Sequence, residues 1–168
     1  MTQQLVSIIT NDNKTYNIDF NIVKCSNVLK NFIEDECSGS FPLQQISSKD
    51  FDKILEYAEI NKDVIQIEEN VKNSDKLDEN FIYNPKEFEH FPEKDRDFIN
   101  KFSIDELINL TEASNFLDIP NLLDLCTHKI ANIIQDKTTE EMRVLFGVVN
   151  DFEPGEEEKL RKELFIEN

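Results

Sequence analysis

Glycine is scarce, with three residues in 168, so there is too little of it to build a phosphate-cradling loop. Tryptophan is absent, and His90 and His128 are the only imidazoles. The three cysteines, Cys25, Cys37 and Cys126, form an odd set without C-x-x-C spacing. That pattern suits free thiols in a reducing compartment better than a disulfide framework. Neither H-E-x-x-H nor EF-hand spacing occurs, so no metal and no cofactor is expected. Long hydrophobic runs are also missing. The first apolar stretch, Leu5 to Ile9, is far too short for a signal sequence or a membrane span, and no basic segment precedes it. An intracellular location, cytoplasmic and nuclear, is expected. Basic residues are outnumbered 18 to 35 by acidic ones, a net charge of −17. Repulsion from phosphates and anionic headgroups makes nucleic acid and membrane unfavourable partners.

Nothing in the titratable residues announces catalysis. His128 stands two residues from Cys126 on a predicted helix, and side chains at that spacing do not share a face, so a Cys/His nucleophile is not formed. Glu156-Glu157-Glu158 reads as a solvated helix start matched to the dipole rather than as an acid/base dyad. The chain is not expected to be an enzyme.

What the sequence does have is 13 Phe and many Ile and Leu in periodic blocks, enough for one main core. Leu5–Thr10 and Thr15–Asp19 alternate around Asn11-Asp12-Asn13-Lys14, which predicts a β-hairpin. Ile22, Val23, Val28, Leu29, Phe32 and Ile33 predict one or two short helices ending before Ser38-Gly39. Phe41-Pro42-Leu43 supplies at most an edge strand. Ser47 or Ser48 caps a helix with Phe51, Ile54, Leu55 and Ala58 on its apolar face. The order is α/β in character. Residues 62–97 have no sustained period and read as an acidic, partly disordered insertion in which Ile65, Ile67, Phe81, Ile82 and Tyr83 form short docking pieces.

Ser103 and Glu106 have capping-box spacing and Phe102 with Leu107 has staple spacing, which start a helix running to about Phe116. Pro120 opens another, where Leu122, Leu123, Cys126, Ile130, Ile133 and Ile134 keep the helical period. Thr138 and Glu141 form a second box for a short helix bearing Met142, Leu145 and Phe146, which Gly147 ends. A loop follows, then a helix from Glu156 to Phe165. Ile130, Ile134, Phe146, Val148, Phe165 and Ile166 exceed what such short elements can bury. They form either an exposed partner groove or a self-packed helical subdomain, and periodicity does not choose between them.

The run from Ala113 through Ser114-Asn115-Phe116-Leu117-Asp118-Ile119-Pro120-Asn121-Leu122-Leu123 to Asp124 resembles the A-A-N-Y-L-D-I-K-x-L-L-D signature of the Skp1 family. Ala131-Asn132-Ile133-Ile134, Lys137-Thr138-x-Glu140-Glu141-x-Arg143-x-x-Phe146, Asn150-Asp151-Phe152 and Arg161-Lys162-Glu163 follow in the family's order. The resemblance is strongest from about Asp95 to Glu163 and looser in the amino-terminal part. It implies an α/β (α+β) BTB/POZ fold with a small sheet, over 1–134, extended by two carboxy-terminal helices over 135–168. It also implies an adaptor that joins F-box proteins to a cullin amino-terminal domain in an SCF-type ubiquitin ligase. By position, Asn115 and Phe116 match the cullin contact. Leu123, Thr127, Ile130, Ile134, Phe146, Val148 and Asn150 match F-box-facing positions, which Ile166 closes.

Three departures stand out. Phe116 replaces the family's Tyr, a hydroxyl worth about 0.5–1.5 kcal/mol if hydrogen-bonded. Ile166 stands where the family has an aromatic anchor, a loss of about 2 kcal/mol or more if that anchor is a hot spot. Lys94-Asp95-Arg96-Asp97-Phe98 lacks the family's Trp before D-x-x-F. Pro154 matches a position resembling a prolyl-hydroxylation site in some protist members, although Gly155 interrupts the acidic context. Two other readings stay open: a decoy that holds F-box proteins without recruiting cullin, and an elongin-C-like BTB module, which the matching tail from Thr138 to Glu163 disfavours. Self-association to a homodimer in the unbound state stays open too.

Overall fold

A computed structural model of the chain describes residues 5–19, 24–34, 39–62 and 85–163. Leu5–Thr10 (β1) and Thr15–Asp19 (β2) form the expected hairpin, with Leu5 opposite Asp19 and Ile9 opposite Thr15. Its turn needs a residue in the left-handed region, and Asn13 takes it at φ 61°, which asparagine tolerates better than most side chains. Asp12 ties the turn to a distant helix start. Its carboxylate accepts the Ser48 backbone N–H at 3.1 Å and the Thr10 hydroxyl, and its pKa is held down at about 2, first by the Ser48 side-chain hydroxyl and then by that of Thr10. Ser40–Leu43 (β3) runs parallel to β1 on its other side, giving the order β2-β1-β3. Pro42 therefore lies on an edge strand, where its missing N–H is tolerated. Val6, Ile8 and Thr10 alternate into the core from the central strand.

Asn27–Glu34 (α1) lies in the connection from β2 to β3, the kind of crossover that a parallel pairing of β3 with β1 requires, and buries Leu29. Residues 20–23 and 35–38, with Ile22, Val23 and Cys37, lie outside the described residues. Ser47 caps Ser48–Ile60 (α2), accepting the Asp50 N–H at 3.2 Å. Phe51, Ile54, Tyr57 and Ala58 are buried, while Leu55 is only half-buried. Tyr16 of β2 stands edge-on to Phe51 at 5.0 Å and donates its hydroxyl to Asp52 at 2.7 Å.

The far end of the 62–97 stretch is folded. Pro85–His90 make a 3₁₀ helix and Glu93–Ile99 form α3, which buries Phe98 and Ile99. Both elements are too short to display a clear period in the sequence. Asp95 is buried and accepts the Asn61 side-chain amide at 2.8 Å, joining the end of α2 to the first turn of α3. Residues 63–84, with Ile65, Ile67, Phe81, Ile82 and Tyr83, lie outside the described residues.

Ile104–Phe116 (α4) opens on the predicted capping box: the Ser103 hydroxyl accepts the Glu106 N–H at 3.4 Å and the Ser103 N–H reaches the Glu106 carboxylate at 3.0 Å. Leu107, Leu110 and Ala113 are buried. Lys53 of α2 ties that helix to α4 through Glu106 at 3.2 Å, and pairs within α2 with Asp50 at 3.3 Å. Pro120–Ile134 (α5) follows after a short turn and inserts Leu122, Leu125 and Cys126 into the same core. Thr139–Leu145 (α6) and Glu156–Glu163 (α7) complete the described elements. The chain divides into two compact units, Met1–Ile133 and Ile134–Asn168.

The α4–α5 corner is held from far away in the chain. Ser26 donates its hydroxyl to the Leu117 carbonyl and accepts the Leu29 N–H at 3.1 Å, while the Asn27 N–H and side-chain amide reach the Asp118 carbonyl and carboxylate at 3.0 and 2.9 Å. Ser26 is buried. Ser26→Ala leaves the buried Leu29 N–H unpaired and the Leu117 carbonyl with only the long Val28 N–H contact at 3.5 Å, and is expected to cost about 1–3 kcal/mol. Urea unfolding checks it, with the exposed Ser40→Ala expected to stay within about 0.5 kcal/mol of the parent. Equal effects of the two substitutions would contradict the role given to the corner.

Candidate protein-binding surfaces

The first surface lies on Met1–Ile133. Asn115 and Phe116 occupy the last turn of α4, and both are exposed, Phe116 at 38 %. Leu117 and Ile119 turn into the core around Asp118, whose φ of 48° and whose closing bonds, Ile119 N–H to Ser114 O at 2.9 Å and Asp118 N–H to Asn115 O at 3.1 Å, make a Schellman-type helix end. The chain buries the residues on either side of this end, which leaves the Phe116 ring outside. A small hollow opens beside the ring, floored by Ile46 and Ala113 and bordered by Gln45, Asp50, Asn109 and Glu112. Gln45 and Ile46 reach α4 only through the fold, so no local signal in the sequence marks them as neighbours of Phe116.

On α5 the six apolar residues assigned to one face belong to two. Leu122 and Cys126, with Leu125, are buried, and Ile133 is partly packed on the core. Leu123, Thr127, Ile130 and Ile134 recur at spacings of four, three and four and form a second row, displaced by about a quarter of the circumference at 100° per residue. Leu123, Ile130 and Ile134 are half-buried and Thr127 is exposed, its hydroxyl donated to the Asp124 carbonyl at 2.9 Å. Ile130 also leans partly on the core. His128 is buried edge-on to Phe91 at 5.3 Å, with Nδ1 2.9 Å from the Asp124 carbonyl oxygen, so its surroundings are those of a packed core residue. Burial pushes the Cys25 and Cys126 thiols up to about 12, which leaves both un-ionised and non-nucleophilic at neutral pH.

The second surface lies on Ile134–Asn168. Thr138 and Glu141 form the predicted capping box, Thr138 N–H to carboxylate at 2.8 Å and Glu141 N–H to hydroxyl at 3.2 Å. The helix ends in another Schellman pair, Val148 N–H to Arg143 O at 2.8 Å and Gly147 N–H to Val144 O at 3.3 Å, with Gly147 at φ 63° where a Cβ is disfavoured. Arg143 joins α6 to α7 through Glu157 at 3.2 Å and lies over the Phe152 ring at 5.7 Å. The Asn150 side-chain oxygen accepts the Phe152 N–H at 3.2 Å and is thereby fixed as a loop-forming group. Pro154 is exposed in the turn before α7. None of the described residues of this unit is buried, and Phe146 at 40 %, Val148 at 59 %, Val144, Val149, Phe152 and Leu160 are exposed. Ile166 and Phe165 lie outside the described residues.

Among the described residues no group of three or more His, Cys, Asp or Glu is placed to hold a metal, and no helix is long and apolar enough to cross a membrane. The architecture is that of an α/β POZ-type domain with a carboxy-terminal helical extension whose apolar side chains face outward. Residues 4–63 match the model described as the Skp1 family tetramerisation domain, and residues 120–164 the model described as the Skp1 family dimerisation domain. The chain is 37 % identical over 161 residues to the SCF ubiquitin ligase complex protein SKP1a of Dictyostelium discoideum, covering 95 % of this chain and 93 % of that one. It is 33 % identical over 162 residues to the suppressor of kinetochore protein 1 of Schizosaccharomyces pombe, covering 94 % of each. The S-phase kinase-associated protein 1 homolog of Tetrahymena thermophila is likewise 33 % identical, over 94 % of this chain and 90 % of its own. The chain belongs to the Skp1 family.

Both capping-box carboxylates, Glu106 and Glu141, are held below their ordinary value of 4.5, each first by the backbone N–H of its capping residue. A depressed folded value means the caps contribute fully above 4.5 and are lost as pH falls through the lower folded value. Going from about pH 6 to about pH 3 should therefore fray the first turns of α4 and α6, seen as faster amide exchange corrected for intrinsic rates. Glu141→Gln is expected to remove that acid dependence from α6 and leave it in α4. An unchanged acid response of α6 in the variant would contradict the cap assignment.

Proposed function

We propose that this chain is a non-catalytic adaptor of an SCF-type ubiquitin ligase, working in the cytoplasm and nucleus. In this reading the Met1–Ile133 unit presents Asn115 and Phe116 to a cullin amino-terminal domain. The outer row of α5 and the exposed apolar residues of the carboxy-terminal unit hold the F-box of a substrate-receptor protein. The observation that carries the reading is the exposed apolar set Phe146, Val148, Val149 and Phe152 on a unit without a buried residue among those described. Such a surface is sustained in a soluble chain by a partner that covers it, or by charge that keeps chains apart, and a net −17 supplies the second condition until the first is met. The Dictyostelium relative named as an SCF ubiquitin ligase complex protein supports the assembly.

A second reading, the decoy, draws on Phe116. A phenyl ring offers apolar area and no hydroxyl, so cullin recruitment is weaker by up to about tenfold where a tyrosine would donate a hydrogen bond. Co-elution of the chain with an F-box protein and a cullin amino-terminal domain as one ternary peak supports the adaptor. An F-box complex that never takes up cullin supports the decoy, and no F-box binding at all overturns both. Phe146→Asp is expected to weaken F-box binding by about 30-fold or more while sparing cullin, and Phe116→Asp the reverse.

Pro154 is proposed as a prolyl-hydroxylation site because its position resembles such a site in some protist members of the family, and its exposure in the turn before α7 is compatible with modification. Intact mass of protein purified from its native source should show one added oxygen that Pro154→Ala removes. Native material without that oxygen would rule the modification out.

A further inference from the structure

We propose that the hollow beside Phe116 receives a lysine or arginine side chain of the protein that docks on this face, and that Glu112 is the carboxylate that selects it. The inference rests on the cullin-facing reading of Phe116. The floor is apolar, with Ile46 at 2 % and Ala113 at 4 % exposure, and the Phe116 ring forms an aromatic wall. Asn109, Glu112 and Phe116 follow one another at spacings of three and four, so they line one face of α4 over two turns. Asp50, the other carboxylate of the hollow, is already engaged: it lies 3.3 Å from Lys53 Nζ and accepts the Ser47 hydroxyl at 2.6 Å. Lys53 is in turn shared with Glu106. Among the described residues the side chains of Asn109 and Glu112 make no hydrogen bond or ion pair, so an unneutralised carboxylate stands at the mouth.

An apolar floor, an aromatic face and a free carboxylate at the rim fit a side chain with an aliphatic stem and a cationic head. The stem covers Ile46 and Ala113, and the head meets the Phe116 face and the Glu112 carboxylate. A wholly apolar side chain would strip water from Glu112 and return nothing for it. An acidic one would approach Asp50 and Glu112 on a chain of net charge −17. A cation is left as the complementary chemistry.

The test is the affinity of the full chain for a cullin amino-terminal domain at about 50 and about 300 mM salt, conditions that differ markedly in screening. Glu112→Gln is expected to weaken binding by about tenfold at low salt and to flatten the salt dependence, and Glu112→Lys to weaken it further. Thermal unfolding of the variants verifies that substitution at this position leaves the fold intact. Glu112→Gln binding as tightly as the parent, with the same salt dependence, while Phe116→Asp loses binding, would overturn the cation site and leave the cullin face standing. No binding of the parent chain would overturn both.

Discussion

Two carbonyls at the α4–α5 corner, those of Leu117 and Asp118, are claimed by Ser26 and Asn27 from the start of α1. Everything on the candidate surfaces of the larger unit depends on that corner. A residue with positive φ is needed to end α4 abruptly, and Asp118 occupies the position where glycine would be the usual choice. Asn27 compensates by bonding the Asp118 carboxylate at 2.9 Å. Because the helix end is abrupt, Leu117 and Ile119 are driven into the core while Asn115 and Phe116 remain outside, and α5 begins at once with Pro120.

The two units solve opposite problems. Met1–Ile133 has a contiguous core drawn from the sheet, five α-helices and the 3₁₀ helix, and some of its buried polar groups pair across elements, as with Asn61 and Asp95. The carboxy-terminal unit relies on local devices: a capping box, a Schellman end, an Asx-type turn and the Arg143–Glu157 bridge. Each is worth about a kilocalorie per mole or less at an exposed site, so together they favour the described shape without fixing it strongly. That is a physical arrangement suited to the proposed partner-completed surface, since part of the ordering cost is met within the chain.

Acidity has a double role in this chain. Over the whole surface it opposes the approach of like-charged chains, while at particular points it orders structure, as in the box glutamates and Asp12. Glu112 belongs to neither group, which is what makes its position beside the Phe116 hollow informative.

Local chemistry was legible without coordinates wherever one short stretch carried both partners of an interaction. The hairpin, both capping boxes, the Ser47 cap and the Gly147 stop all follow from residues within about five positions of each other, and those are the interactions a linear reading can pair. The Skp1 relationship was legible for the same reason, since its signature runs unbroken from Ala113 to Asp124. The tertiary structure alone decided which side of each element meets the core. It folded Pro85–Ile99 through a buried Asp95 and the ring of Phe98, divided α5 into Leu122, Leu125 and Cys126 inward and Leu123, Thr127 and Ile134 outward, and brought Ile46 to Phe116. Such choices are made by surfaces contributed from distant parts of the chain, and hydrophobic burial, being non-directional, leaves no local mark of them in the sequence.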